Sequence, residues 1–387
     1  MNIDSALRHL ASRADHQVAR DEVGDRIGRL LHVLGDPHEA APVIAVTGPG
    51  AASVAAMATA LLRAQGLSVG TITSTALEQV AERLAWDGTT VDDDTFATLV
   101  GDVTAVEELA GLTAAASEIV VAAAFRWFAE VAVDVVVLET GHDDPVALVE
   151  PTVAVGADEH GTVTVASADG AWELNRDFGV AVDKVAVGGR LLDLRTPDAQ
   201  HDDVYVPVHG GHQAAAAATA LAAVEAFLGR PQDTEVVTEA LGELRLPGRF
   251  EVVARHPTVV VDVVTDAGAA EATATTLAED MMLPGSVLMV VGFRSGPDPE
   301  AILHALGVAD AGLVVACAPE GAGVVAASDL VGVAERLGAV AETVPEPVDA
   351  VNRALAVATE DDLVLVAGAP EIVGPVRAAL REMDVPA

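Results

Sequence analysis

The hydrophobic pattern begins at helical spacing. Val18, Val23, Ile27, Leu30, Leu31 and Val33 recur every three or four positions, so the first forty residues are expected to be helical. A short apolar run, Val43-Ile44-Ala45-Val46, then ends in Thr47-Gly48-Pro49-Gly50. An Ala-rich helix over 51–65, closed by Gly66, and a second strand over 69–73 follow. Strand, glycine turn, helix and strand in this order predict an α/β domain built on a parallel sheet. Helices near 94–111 and 115–132 lead into Asp134-Val135-Val136-Val137-Leu138-Glu139, a buried-type strand with a carboxylate at its carboxyl end. Open α/β sheets place their ligands at that end.

From 151 to 208 the pattern changes to short β segments, at 152–155, 161–167, 180–187, 190–195 and 203–208. Two Ala-rich helices near 211–228 and 233–243 come next. After Pro247-Gly248 a second α/β alternation starts, with strands expected at 258–264, 286–292, 311–316, near 339–343 and at 362–367. The predicted organisation is a first domain over 1–246 and a second over 250–387, without an internal repeat.

Composition narrows the function classes. The chain has 387 residues, 51% of them apolar, which is enough to bury sizeable cores. Its 59 acidic residues against 21 basic ones give a formal charge of −38. Nucleic acid is therefore a poor partner, because phosphate binding needs clustered Lys and Arg. Cys317 is the single cysteine, which excludes an intramolecular disulfide and any CxxC-type metal site. Met1-Asn2-Ile3-Asp4 does not open a basic-then-apolar leader, and no stretch of 18 uninterrupted apolar residues occurs. A soluble, cytoplasmic protein that neither spans nor binds a membrane is expected. Of the basic residues only Lys184 is lysine, so any chemistry that needs a lysine has one candidate. Acidity with almost no Lys fits either a high-salt proteome or a GC-rich genome.

Several motifs in order carry a family resemblance. Ala45-Val46-Thr47-Gly48-Pro49-Gly50 lies where a Gly-Thr-Asn-Gly-Lys phosphate loop would stand, and Thr73-Ser74-Thr75-Ala76-Leu77 resembles Thr-Ser-Pro-His-Leu. Glu82-Arg83-Leu84 resembles Glu-Arg-Ile, and Val137-Leu138-Glu139-Thr140-Gly141 resembles Leu-Glu-Val-Gly. His209-Gly210-Gly211-His212-Gln213 resembles Gly-x-His-Gln. Leu246-Pro247-Gly248-Arg249-Phe250-Glu251-Val252-Val253 is the nearest local match, and it runs on into Val259-Val260-Val261-Asp262. Together these resemble the folylpolyglutamate synthase/dihydrofolate synthase branch of the Mur ligases. The resemblance implies an α/β fold: a Mur-ligase-like, P-loop-type domain with a parallel sheet and a β-rich insertion, then a smaller Rossmann-like carboxyl-terminal domain.

It also implies a chemistry in which ATP and magnesium convert a carboxylate to an acyl phosphate that an amino group attacks. By that resemblance Gly48, Gly50 and Ser53 fall on the phosphate loop, Arg249 on a phosphate-contacting Arg and Asp262 on a nucleotide-contacting Asp. Ser74, Glu139 and His160 fall on the metal ligands, and Glu118 on a helical Glu. Other positions depart from the family pattern. The loop is one residue short, with Ala51-Ala52 where Lys and Gly/Thr belong. Asp143-Asp144-Pro145 and the residues to Glu150 replace a cationic segment, and Asp158-Glu159-His160 lies too close to Glu139. The segment that would bear a carbamylated Lys is missing, Ala216 replaces an adenine-contacting Asn, and Thr265-Asp266-Ala267 replace His-Asn-Pro.

Each residue also has a plainer reading. Gly48-Pro49-Gly50 suits a bare strand-to-helix turn, and Glu139 a solvated strand end. Ser74 before Ala-Leu-Glu suits a helix N-cap with Glu78 reciprocating. Arg249 suits a structural ion pair, Asp262 a structural acceptor and Lys184 a solvated strand position. His209 and His212 flank Gly-Gly, a poor frame for a rigid metal site, and Trp127 and Met281-Met282 suit a core. Three functions are expected to compete: a folate- or pterin-binding protein with lost or weakened ligation, an active ATP-dependent ligase, and a scaffold for an intact paralogue.

Overall fold

The structure is a computed structural model that describes residues 1–13, 20–140, 150–158, 161–281, 285–319, 321 and 323–382, with side chains of 20–25 left undescribed. The chain divides into two compact units. The first comprises 1–184, 191–207 and 214–244, and the second 185–190, 208–213 and 245–387.

The first unit starts with α1 (Ile3–Ala11) and α2 (Arg20–Val33), then β1 (Val43–Thr47), α3 (Ala51–Ala64) and β2 (Val69–Ile72). It continues through β3 (Leu84–Trp86), β4 (Thr89–Thr90), α4 (Asp93–Ala110), α5 (Ala116–Val131) and β5 (Val135–Thr140). Next come β6 (Val153–Ala157), β7 (Val163–Ser167), β8 (Gly170–Glu173), β9 (Gly179–Ala186), β10 (Gly189–Arg195) and β11 (Gln200–Val206). The helices α6 (Gly211–Leu228) and α7 (Thr234–Gly242) follow.

An eight-stranded sheet in the order β4-β3-β2-β5-β1-β6-β7-β8 carries this unit. Its centre, β2, β5, β1 and β6, is parallel, and both margins turn antiparallel. The β-rich segment therefore divides, because β6–β8 extend the first sheet while β9–β11 form a separate three-stranded one. The pattern did not reveal β3, β4 or β8, whose two to four residues are too short for an alternation to register. All six residues of β5 are buried, as expected of a strand covered on both faces. Phe96, Phe125 and Phe128 anchor the core built by α4 and α5. Trp127 packs partly buried against it. Gly70 of β2 lies under Phe128, where an added Cβ would come within 2.7 Å of the ring.

The second unit holds β12 (Glu251–Arg255), β13 (Thr258–Val263), α8 (Ala267–Asp280), β14 (Val287–Gly292) and α9 (Pro299–Ala305). Then come β15 (Leu313–Ala316), α10 (Ala327–Arg336), β16 (Ala341–Thr343), α11 (Pro347–Val357), β17 (Leu363–Gly368) and α12 (Pro370–Glu382). Its sheet has the order β12-β13-β17-β14-β15-β16, parallel except for β12. This is a Rossmann-like layer, with Met281 half-buried against its core and Met282 outside the described residues. No helix among the described residues is long and apolar enough to cross a membrane.

Two outcomes are expected. Gly70→Ala destabilises the protein by about 1–3 kcal/mol through overpacking against Phe128, as urea unfolding will register. Self-repulsion at −38 lowers the thermal midpoint, so the midpoint rises as KCl goes from low to molar concentration and screens the like charges. A midpoint independent of KCl would contradict this.

Candidate ligand site at the carboxyl edge of the first sheet

Parallel pairing sets Val46 of β1 beside Glu139 of β5 and Thr47 beside Thr140, while Ile72 of β2 lies beside Leu138. The carboxyl ends of β1, β2 and β5 therefore share one edge of the sheet. Ser74 follows β2 there, and its amide donates to Glu139 Oε2 at 2.5 Å while its hydroxyl donates to Oε1 at 2.6 Å. Glu139 is buried, so the solvated-carboxylate reading is set aside. No helix starts at Ser74, which corrects its N-cap reading. The missing helix has a local cause: Glu82, not Glu78, takes up the amides of this turn, accepting from Leu77 and Glu78 at 2.9 and 3.0 Å.

The β1–α3 loop has the backbone of a tight turn. Gly48 (φ +92°) and Gly50 (φ +75°) are both left-handed; an added Cβ would reach only ordinary contact with Ala157, at 3.5 Å, from Gly48 and would meet nothing from Gly50. Backbone conformation, not steric closeness, is what requires glycine here. Helix α3 begins with Ala51 and Ala52, and Ser53 is buried in its first turn. Lys184 is exposed on β9. His160 and the acidic run at 143–149 lie outside the described residues. Glu118 is spent on structure: it accepts from Arg26 Nε and Nη2, both at 3.0 Å, and caps the start of α5 through the Ala115 amide at 2.7 Å.

The other candidates belong to the second unit. Gly248 and Phe250 both have positive φ, +65° and +47°, so the Pro-Gly-Arg-Phe turn needs outside support. Asp262 supplies it, accepting from the Phe250 amide at 3.0 Å and the Thr273 hydroxyl at 2.6 Å. Burial pushes its carboxyl up to about 6, against the opposing pull of these two donors and of the Arg249 charge. With both oxygens engaged, Asp262 has the geometry of the structural acceptor. Arg249 is half-buried and makes no ion pair among the described residues, so its ion-pair reading finds no partner there. Its charge is left available to an anion.

His209 and His212 do not form a metal pair. His209 Nδ1 turns to Asp280 at 3.3 Å, and His212 Nε2 lies 3.1 Å from Gln213 Nε2. Burial lowers both imidazole pKa values; Asp280 opposes this at His209, and Arg190 and Arg249 reinforce it at His212. Asp280, on α8, also accepts from Arg190 Nη1 at 2.6 Å and from the Gly210 amide at 2.8 Å. This buried knot left no sequence signal, since its members lie 70 to 90 positions apart.

The donor sets can be tested against the groups the resemblance implies. Ser74 and Glu139 offer adjacent oxygens, the donor type a hard divalent cation prefers. Among the described residues no group of three or more His, Cys, Asp or Glu could hold a metal alone, so such a cation would complete its shell with water or ligand oxygens. Residues 47–53 of the β1–α3 loop present no cation to a triphosphate.

Asp262 sets a pH dependence. Between its ordinary value near 3.8 and about 6, the folded protein keeps a proton that the unfolded chain has lost. Its stabilising contribution is thus full below 3.8 and lost as pH rises through about 6, on the order of 3 kcal/mol in all. Asp262→Asn retains an acceptor for the Phe250 amide and should flatten this slope in urea unfolding. A variant with the wild-type slope would refute the assignment.

Residues 248–370 match the Mur ligase, glutamate ligase domain family. The dihydrofolate synthase/folylpolyglutamate synthase of Mycobacterium tuberculosis is 28% identical over 368 residues, covering 78% of this chain and 75% of that protein. A probable bifunctional folylpolyglutamate synthase/dihydropteroate synthase of Halobacterium salinarum is 32% identical over 389 residues. That match covers 88% of this chain and 47% of the relative, so the chain spans about half of that relative's length. In three dimensions the Mycobacterium tuberculosis folylpolyglutamate synthase complexed with ADP has a TM-score of 0.88 at 23% identity, covering 98% of each chain. The bifunctional enzyme of Yersinia pestis, complexed with AMPPNP and a Mn ion, has a TM-score of 0.81 at 22% identity, again covering 98% of each. Motif order, fold and relatives thus agree: residues 248–370 carry a Mur ligase, glutamate ligase domain, and the chain is similar in sequence and in fold to folylpolyglutamate synthase/dihydrofolate synthase proteins.

Proposed function

We propose that this protein binds a folate- or pteroate-type ligand and has lost ATP-driven ligation. The observation that carries the reading is the β1–α3 loop, which keeps its glycine turn but meets α3 at Ala51-Ala52, with the chain's one Lys exposed on β9. A helix amino end alone offers an anion only about 0.3–1 kcal/mol at an exposed site. Losing one preorganised charge contact to a transferring group costs about 3–4 kcal/mol of transition-state stabilisation. The backbone that remains is therefore too weak a cradle for phosphoryl transfer. Ser74 and Glu139 would hold a divalent cation, which supplies positive charge to a carboxylate such as the one a pteroate carries.

Those same residues favour a second reading, weak Mg-ATP binding that sustains ligation of glutamate to a pteroate or folate. Calorimetric titration of Mg-ATP into the wild type and Glu139→Ala, at low and molar salt, separates the two. The expected result is no saturable heat at millimolar nucleotide in either buffer, with saturable heat from dihydropteroate or folate. Saturable Mg-ATP binding that Glu139→Ala weakens, with ADP release once pteroate and glutamate are added, would establish the ligase reading instead.

A further inference from the structure

The turn that presents Ser74 is held from outside itself. Thr73 and Arg83 close its ends, the Thr73 amide donating to the Arg83 carbonyl at 2.9 Å and Arg83 Nε to the Thr73 carbonyl at 2.8 Å. Inside that closure, one oxygen of Glu82 accepts from two successive amides, Leu77 and Glu78. Glu82 is itself anchored, because its neighbours Ala81 and Leu84 are buried in the core and Leu84 pairs with Ile72 of β2. The segment between Ser74 and Glu78 has no helix or strand to stiffen it. Its conformation rests on Glu82 at one end and on the Ser74–Glu139 contact at the other, with the Thr73 hydroxyl donating to the Thr75 carbonyl at 3.2 Å between them.

We propose that Glu82 is the positioning residue of the cation site, orienting Ser74 toward Glu139 without touching the cation. The inference rests on the reading that Ser74 and Glu139 take a divalent cation. A carboxylate is suited to the task because one oxygen has lone pairs for both amides, and its charge strengthens each bond. Glu82→Gln retains a carbonyl acceptor at the same reach, whereas Glu82→Ala removes it. A group that orients a metal ligand contributes to affinity even though it lies outside the coordination shell.

The test is Mn²⁺ titration followed by electron paramagnetic resonance, joined to amide hydrogen exchange of the metal-free protein. Glu82→Ala is expected to weaken Mn²⁺ by about tenfold and to speed exchange at Ser74, Leu77 and Glu78, while Glu82→Gln stays near wild type in both. In a Glu139→Ala background, Glu82→Ala should add no further loss of Mn²⁺ affinity, a non-additivity that general destabilisation would not produce. Unchanged Ser74 exchange in Glu82→Ala overturns the proposal, as does an additive loss in the double variant. A wild type that binds no Mn²⁺ refutes the cation reading and with it the assigned role of Glu82. In that case faster Ser74 exchange would show only that Glu82 supports the turn.

Discussion

The parallel register between β1 and β5 is the constraint on which the candidate site depends. It brings the carboxyl ends of three strands to one edge, with Glu139 level with Val46 and the Ser74 turn emerging beside it. Shifting a strand by one residue would exchange its two faces and move Glu139 away from Ser74. The register is strongly specified because every residue of β5 is buried, so any slip would place Glu139 among the apolar side chains now covered by helices. Ligand chemistry at this edge is thus a consequence of how the core packs.

The second unit shows the complementary arrangement, in which buried carboxylates hold irregular backbone. Asp262 stabilises a turn with two left-handed residues, and Asp280 gathers an arginine, a histidine and a backbone amide. Each of these acids is desolvated, a cost that hydrogen bonding to several donors offsets. Arg249 lies in the turn that Asp262 holds, without an ion pair among the described residues. A rigid turn carrying a cation is a better anion receptor than a flexible one, because less freedom is lost on binding.

The acid-rich composition acts at a different level from either site. Many surface carboxylates face solvent without a basic partner, since the chain has only 21 basic groups for 59 acidic ones. Several of those basic groups are engaged inside the fold, as Arg26 is with Glu118 and Arg377 with Glu251. The charge imbalance bears on solubility and salt response, not on the choice of ligand.

The sequence by itself determined the family resemblance, the alternation of elements and the absence of a phosphate-loop lysine, because these are properties of order and residue identity. Ser74, Glu139, Arg249 and Asp262 were legible as candidates for the same reason, each standing at a fixed place in a motif. Their relations were not legible. Whether Ser74 caps a helix or meets Glu139 depends on contacts 65 positions apart, and local preference favoured the cap. The Arg190–Asp280–His209 knot likewise arises when distant segments exclude water together, while the place of Glu82 on two loop amides and the saturation of Asp262 join closer positions whose geometry no local pattern announces. Burial and partner geometry are set by what the whole chain packs against a residue, and only the tertiary structure decides that.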